Sequence, residues 1–261
     1  MKLKYLLLTG LMGGFGFVAC NSDDAVTEID ETVDTTGNNQ MVIPEQFTNN
    51  APDLTIYMEQ GADGKQYVVI ESENIPDHNS PYFSQNDSRY EAYNGDNQNF
   101  HRNPNSISEQ TIVYRIPASP TPAANPEATP LGPIGVAVNG IAIQNQYAGP
   151  NDQPLTSEID SFDQYNGHPT DVGAYHYHVE PLSITNSVGK DGLVGWLLDG
   201  YPVYGPMENG QEVSNQDLDE YHGHSHATAE YPNGIYHYHI TDADPYINGN
   251  GYFGVAGTVT F

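Results

Sequence analysis

Short apolar runs, few longer than seven positions, recur from about position 54 to the end of the chain. Residues 54–58 and 66–70 are β-prone and flank Gly61-Ala62-Asp63-Gly64, a hairpin signal. Further runs of the same kind lie at 111–116, 134–138, 140–143, 193–198, 201–204, 234–239 and 255–261. Clusters of Gly, Pro, Asn and Asp separate them, including a Pro/Ala loop over 117–133. No stretch keeps a helical period beyond about ten residues, and 217–221 reads at most as one helical turn. The pattern predicts a mostly β chain. Residues 41–261 are expected to form a single β-sandwich or jelly-roll-like domain with long Gly/Pro/Asn-rich loops and little helix.

The first forty residues follow a different rule. Lys2 and Lys4 precede an apolar run through Leu6, Leu11 and Phe17, too short and Gly-rich to span a bilayer. It reads as a secretory leader over 1–19. Val18-Ala19-Cys20 resembles a bacterial lipobox, which makes Cys20 the lipidated first residue of the exported chain. The acidic pair Asp23-Asp24 resembles a surface-export signal, and 20–40 reads as an acidic flexible tether. The expected location is the outer membrane, facing the cell exterior, with the membrane met through the lipid anchor.

Charge narrows the partners. The 261 residues carry 34 acidic and 7 basic side chains, a formal charge of −27. Loss of the leader leaves five bases and a charge of −29. Such a chain is no partner for nucleic acid, whose phosphates require Lys and Arg. The single Cys excludes a disulfide framework and an all-thiolate metal site, so metal chemistry here must use nitrogen and oxygen.

Six of the ten His fall in two matching settings. Tyr165-Asn166-Gly167-His168 precedes Tyr175-His176-Tyr177-His178, and Tyr221-His222-Gly223-His224 precedes Tyr236-His237-Tyr238-His239. Along a strand, side chains alternate faces, so His176 and His178 share one face and Tyr175 and Tyr177 the other. His237 and His239 repeat this. Two imidazoles so spaced can meet one metal, and His168 and His224 are natural additional ligands from turns. If the two strands lie together, four imidazoles surround one cavity. Thiolate-free imidazole sites suit transition metals, with copper or zinc favoured here. Asp199 is a possible ligand or an orienting partner for an imidazole, although Asp199-Gly200 also reads as a plain hairpin turn. Tyr175, Tyr177, Tyr236 and Tyr238 are candidates for the surrounding shell. His222 and His226 rank below the six, His78 lies outside the repeat, and His101 has no assigned role. Buried polar packing or surface exposure of the His are the alternatives.

Other motifs fail on context. Gly249-x-Gly251-x-x-Gly254 spells a dinucleotide fingerprint, but seven residues follow it, too few for the fold that motif needs. No nucleotide cofactor is expected. The loop 151–163 offers oxygen ligands for Ca²⁺ without the EF-hand spacing, and reads as solvated turns.

These residues resemble the YHYH domain proteins, named for the motif itself. The likeness runs over about 70–254, through Ile75-Pro76-Asp77-His78, Asn103-Pro104-Asn105, Gly135–Gly140, both Tyr-x-Gly-His and Tyr-His-Tyr-His elements, Gly195–Pro206 and Pro245-Tyr246. It implies one domain with a His-built site in a secreted or surface protein, and names no reaction. The leading expectation is transition-metal binding. A metal-dependent hydrolase or oxidoreductase on the same site, and a glycan-binding or structural module, are the alternatives; no protein or glycan partner is indicated.

Overall fold

The computed structural model describes residues 40–44 and 54–261; the leader, Cys20 and the tether up to residue 39 lie outside them. In chain order the strands are β1 (Leu54–Gln60), β2 (Gln66–Ser72), β3 (Ile112–Pro117), β4 (Pro133–Ala137), β5 (Ala142–Gln144), β6 (Tyr147–Ala148), β7 (Gln153–Pro154), β8 (Gly167–Pro169), β9 (Tyr175–Tyr177), β10 (Leu193–Leu197), β11 (Pro202–Tyr204), β12 (Met207–Glu208), β13 (Gln211–Glu212), β14 (Gly223–His226), β15 (Ile235–His239) and β16 (Thr258–Thr260). Among the described residues one short α-helix, α1 (Leu182–Val188), follows Pro181. The predicted runs become strands with ends shifted by a few residues, since caps and turns rather than the apolar core set the ends. Residues 217–221 form turns, not a helical one.

β1, β2, β3 and β16 pair antiparallel in that order, and eight strands form a second sheet in the order β14-β15-β11-β10-β4-β5-β9-β8. Ile70, Ile112, Tyr114 and Ile116 from the small sheet join Ile134, Val136, Trp196, Val203 and Tyr238 from the large one in a single apolar cluster. The result is sandwich-like, with no closed barrel.

The large sheet is two copies of one four-strand unit. β4 turns through Asn139-Gly140 into antiparallel β5, and β10 turns through Asp199-Gly200 into antiparallel β11. Both turn glycines take positive φ, 82° and 85°, where a Cβ would be strained. β5 then pairs parallel with β9, as β11 does with β15. β8 and β14 complete the edges, each antiparallel to its neighbour. The copies meet at the antiparallel β4–β10 seam, where Val136 lies opposite Trp196, its own counterpart sixty positions on. Gly135 and Gly195 flank that axis. A Cβ on either would lie 2.4 or 2.3 Å from the carbonyl oxygen of Trp196 or Val136, so the close seam requires both glycines.

Candidate metal centres

In each half, an aspartate builds the turn that presents the first histidine. Asp163 Oδ1 accepts the backbone N–H groups of Tyr165 and Gly167, and Asp219 Oδ1 those of Tyr221 and Gly223. The hydroxyls of Tyr175 and Tyr236 donate to the same aspartates. The turn residues Asn166 and His222 take φ of 65° and 75°. Gly167 and Gly223 follow them because the next strand passes close: a Cβ would lie 2.4 Å from the Tyr175 ring at Gly167, and 2.4 Å from both Tyr236 and the His237 carbonyl oxygen at Gly223. The turn's aspartate and Gly and the first Tyr of the following strand are thus one packing unit.

Tyr175, Tyr177, Tyr236 and Tyr238 all point into the core, and the His point the other way, into two separate groups. Glu158, His168, His176 and His178 form the first, and Glu208, His224, His226, His237 and His239 the second; within each group the ligand atoms lie within 4.8 Å of one another. The two Tyr-His-Tyr-His strands do not converge on one cavity. They lie five strand steps apart in the sheet, roughly 24 Å at about 4.8 Å per step.

In the first group, Nε2 of His176 lies 3.0 Å from Nε2 of both His168 and His178, and Glu158 Oε1 is 3.3 Å from His168 Nε2. Neighbouring donors of a tetrahedral ion with bonds of about 2.0–2.1 Å stand roughly 3.3 Å apart, so the spacing fits. The protonation pattern fits as well. His176 Nδ1 donates to the Ala174 carbonyl and His178 Nδ1 to that of Asn145. Ser161 Oγ spends its proton on the Glu158 carbonyl, so it accepts from His168 Nδ1 at 2.8 Å. A neutral imidazole with its proton on Nδ1 presents a bare lone pair at Nε2. Three lone pairs therefore converge. Burial holds His168 down to about 3, His178 to about 4, and His176 well below the usual imidazole range, so protons are a poor substitute for a metal cation. Burial also raises the Glu158 carboxyl, and its Oε2 has no partner among the described residues.

The second group repeats the frame. Nδ1 of His237 donates to Ile235, that of His239 to Gly205, and that of His226 to Ala227. Their Nε2 atoms face Glu208 Oε1, which contacts His226 and lies 3.3 Å from His224, 3.4 Å from His239 and 3.8 Å from His237. Nε2 of His237 and of His239 have no hydrogen-bond partner among the described residues. Desolvation lowers His237 to about 3 and lowers His239 too. Carboxylate oxygen and bare imidazole nitrogens repel one another unless a proton or a metal cation sits between them.

The remaining sequence candidates lie elsewhere. Asp199 is fully buried on the tyrosine side, where it accepts Tyr238 O–H at 2.6 Å and the N–H groups of Gly254 and Tyr201. It touches no imidazole of either group. Tyr177 donates to His78 Nε2 at 3.2 Å, outside both groups. His222 is held by Asn215 and Thr241, and His101 is exposed. In the loop 151–163, Asp163 and Asp160 serve as hydrogen-bond acceptors. The sequence reading missed Glu158 and Glu208, and ranked His226 low. Glu158 comes from a short 3₁₀ turn (Glu158–Ser161) and Glu208 from the β12–β13 ribbon, both outside the repeated motif; only the His224-x-His226 alternation was a usable signal.

The family model described as YHYH protein matches residues 113–214 and 207–251, the span that holds both groups. No curated protein and no solved structure matches the chain.

Proposed function

The chain belongs to the YHYH protein family, and from that premise we propose that it binds transition metal ions, copper or zinc, one at each of its two His/carboxylate centres. The observation that carries this reading is the placing of five buried imidazoles with Nδ1 against an oxygen, a backbone carbonyl in four and Ser161 Oγ in the fifth, and Nε2 turned inward. Nδ1 as donor leaves Nε2 a bare lone pair. Hard ions such as Ca²⁺ prefer six to eight oxygens, whereas imidazole-rich sets take Zn²⁺ or Cu²⁺. In this reading the protein is an exported lipoprotein, tethered through Cys20 outside the cell, that binds or handles metal there. Metal analysis of the purified full chain tests it. The expected content is close to two ions per chain, one of which is lost in His176→Ala/His178→Ala and the other in His237→Ala/His239→Ala. Equal content in all three proteins overturns it.

A further inference from the structure

The two centres share a three-imidazole frame and differ in everything added to it. The first adds only Glu158, which makes three nitrogens and one oxygen. Its imidazoles are buried, and Phe162 closes over them, its ring 4.8 Å from that of His168 and stacked 5.8 Å from that of His178. The second adds both Glu208 and His226, which makes four nitrogens and one oxygen. Glu208 stands where the first half has Ala148, and His226 where it has Thr170.

Access differs in the same direction. The carboxylates are alike, Glu158 28% and Glu208 25% exposed, but the imidazoles are not: His224 and His226 are 23% and 34% exposed, against 3% for His168. A cavity of about 350 Å³ opens on the second centre, lined by Glu208, His226, His237 and His239, with the carboxylates of Asp191 and Glu230 on its wall.

Donor number and kind select the metal. A closed set of four N/O donors suits a tetrahedral structural Zn²⁺. Four imidazoles with a fifth oxygen suit the tetragonal shell of Cu²⁺. Divalent copper outcompetes zinc at almost any such site, so selectivity here is a contest between the two centres, and the fourth imidazole gives the second one the larger copper preference.

Resting on the metal-binding reading above, we propose that the duplicated halves have diverged in use. The centre of Glu208, His224, His226, His237 and His239 is an exchangeable copper(II) site loaded through the cavity, and that of Glu158, His168, His176 and His178 is a permanent zinc site.

The test uses the full chain, stripped with chelator, reloaded with excess Zn²⁺ and then given one equivalent of Cu²⁺. Electron paramagnetic resonance and metal analysis should find one copper with a four-nitrogen hyperfine pattern and one zinc retained. Brief exposure to a competing chelator should remove the copper at least tenfold faster than the zinc. His226 is partly exposed, and unchanged far-UV circular dichroism checks that His226→Gln is folded. The variant should reduce the pattern to three nitrogens and weaken copper retention at least tenfold, with zinc unchanged. His168→Ala/His176→Ala should lose zinc and keep the copper signal. A copper signal that follows the first centre's histidines, or that is indifferent to His226, overturns the proposal while leaving metal binding intact. Failure of every protein to hold metal overturns the reading beneath it.

Discussion

Each residue of the Tyr-x-Gly-His element has a separate physical duty. The His supplies a donor; the Gly leaves room for the ring of Tyr175 or Tyr236; the aspartate two residues before the Tyr fixes the turn. Tyr175 is fully buried and cannot swing away from an added methyl group. Gly167→Ala should therefore cost about 1–3 kcal/mol and weaken metal at the first centre, leaving the second loaded. Gly223→Ala should do the reverse. Urea unfolding and site-by-site metal content read both effects, and a variant that weakened the two centres equally would show that these glycines do not act locally. The alternation of His and Tyr faces was legible in the sequence because strand periodicity is a local property. Glu158 and Glu208 were not, because carboxylates delivered by a 3₁₀ turn and a ribbon obey no spacing rule relative to His168 or His224. Asp199-Gly200 forms the hairpin turn that the sequence favours, but the partners of its carboxylate, Tyr238 and Gly254, come from distant parts of the chain and were not legible.

At the scale of elements, nine apolar runs located most of the strands, since a half-buried or core strand must carry its apolar side chains somewhere. Pairing order is another matter. The Tyr-His-Tyr-His strands look like neighbours in composition yet stand on opposite wings of an eight-stranded sheet, because each pairs parallel with the second strand of its own half. Nothing along the chain marks a parallel partner. The repeat of Gly135 and Gly195, sixty positions apart and each before a turn ending in Gly, adds to the paired His settings as a sign of duplication. The seam supports both halves, so Gly195→Ala should differ in kind from Gly167→Ala. Its Cβ would meet backbone, which cannot rotate away, and we expect a loss of about 2–3 kcal/mol with the strand positions of both centres disturbed together. Thermal unfolding with metal analysis checks this; disturbance of one centre alone would mean that the halves are held together by the surrounding core rather than by the seam.

For the whole molecule, metal and protons compete for the same lone pairs. In the metal-free chain His168, His176, His178, His237 and His239 are all held below the ordinary imidazole value of about 6.5. Above pH 6.5 they are neutral in both folded and unfolded chains and contribute no pH dependence. As pH falls below 6.5 the unfolded chain takes up protons that the folded chain refuses, so stability falls until the lowered folded values are reached, about 3 to 4 for His168, His178 and His237. Each such imidazole removes about 1.4 kcal/mol per pH unit. Asp199, raised to about 6 by burial, works the opposite way: protonation in the folded state favours folding as pH drops from about 6 toward 3.8. Glu158 and Asp163, also raised by burial, act with Asp199, and His222, lowered by burial, acts with the other five imidazoles. Three carboxyls oppose six imidazoles, so acid wins as a destabiliser. With a native stability of about 5–15 kcal/mol, the metal-free chain should unfold within one to three pH units below 6.5. Metal at a hundredfold excess over its dissociation constant adds about 2.7 kcal/mol per centre at pH 7.5, an advantage that shrinks on acidification as protons displace it. Urea titrations at pH 7.5, 6.5, 5.5 and 4.5, with and without Zn²⁺, should show two curves that converge toward acid. Parallel curves would mean that the added ion binds away from these imidazoles, and a metal-free stability that is flat from pH 7 to 5 would mean that they are not held neutral in the folded chain.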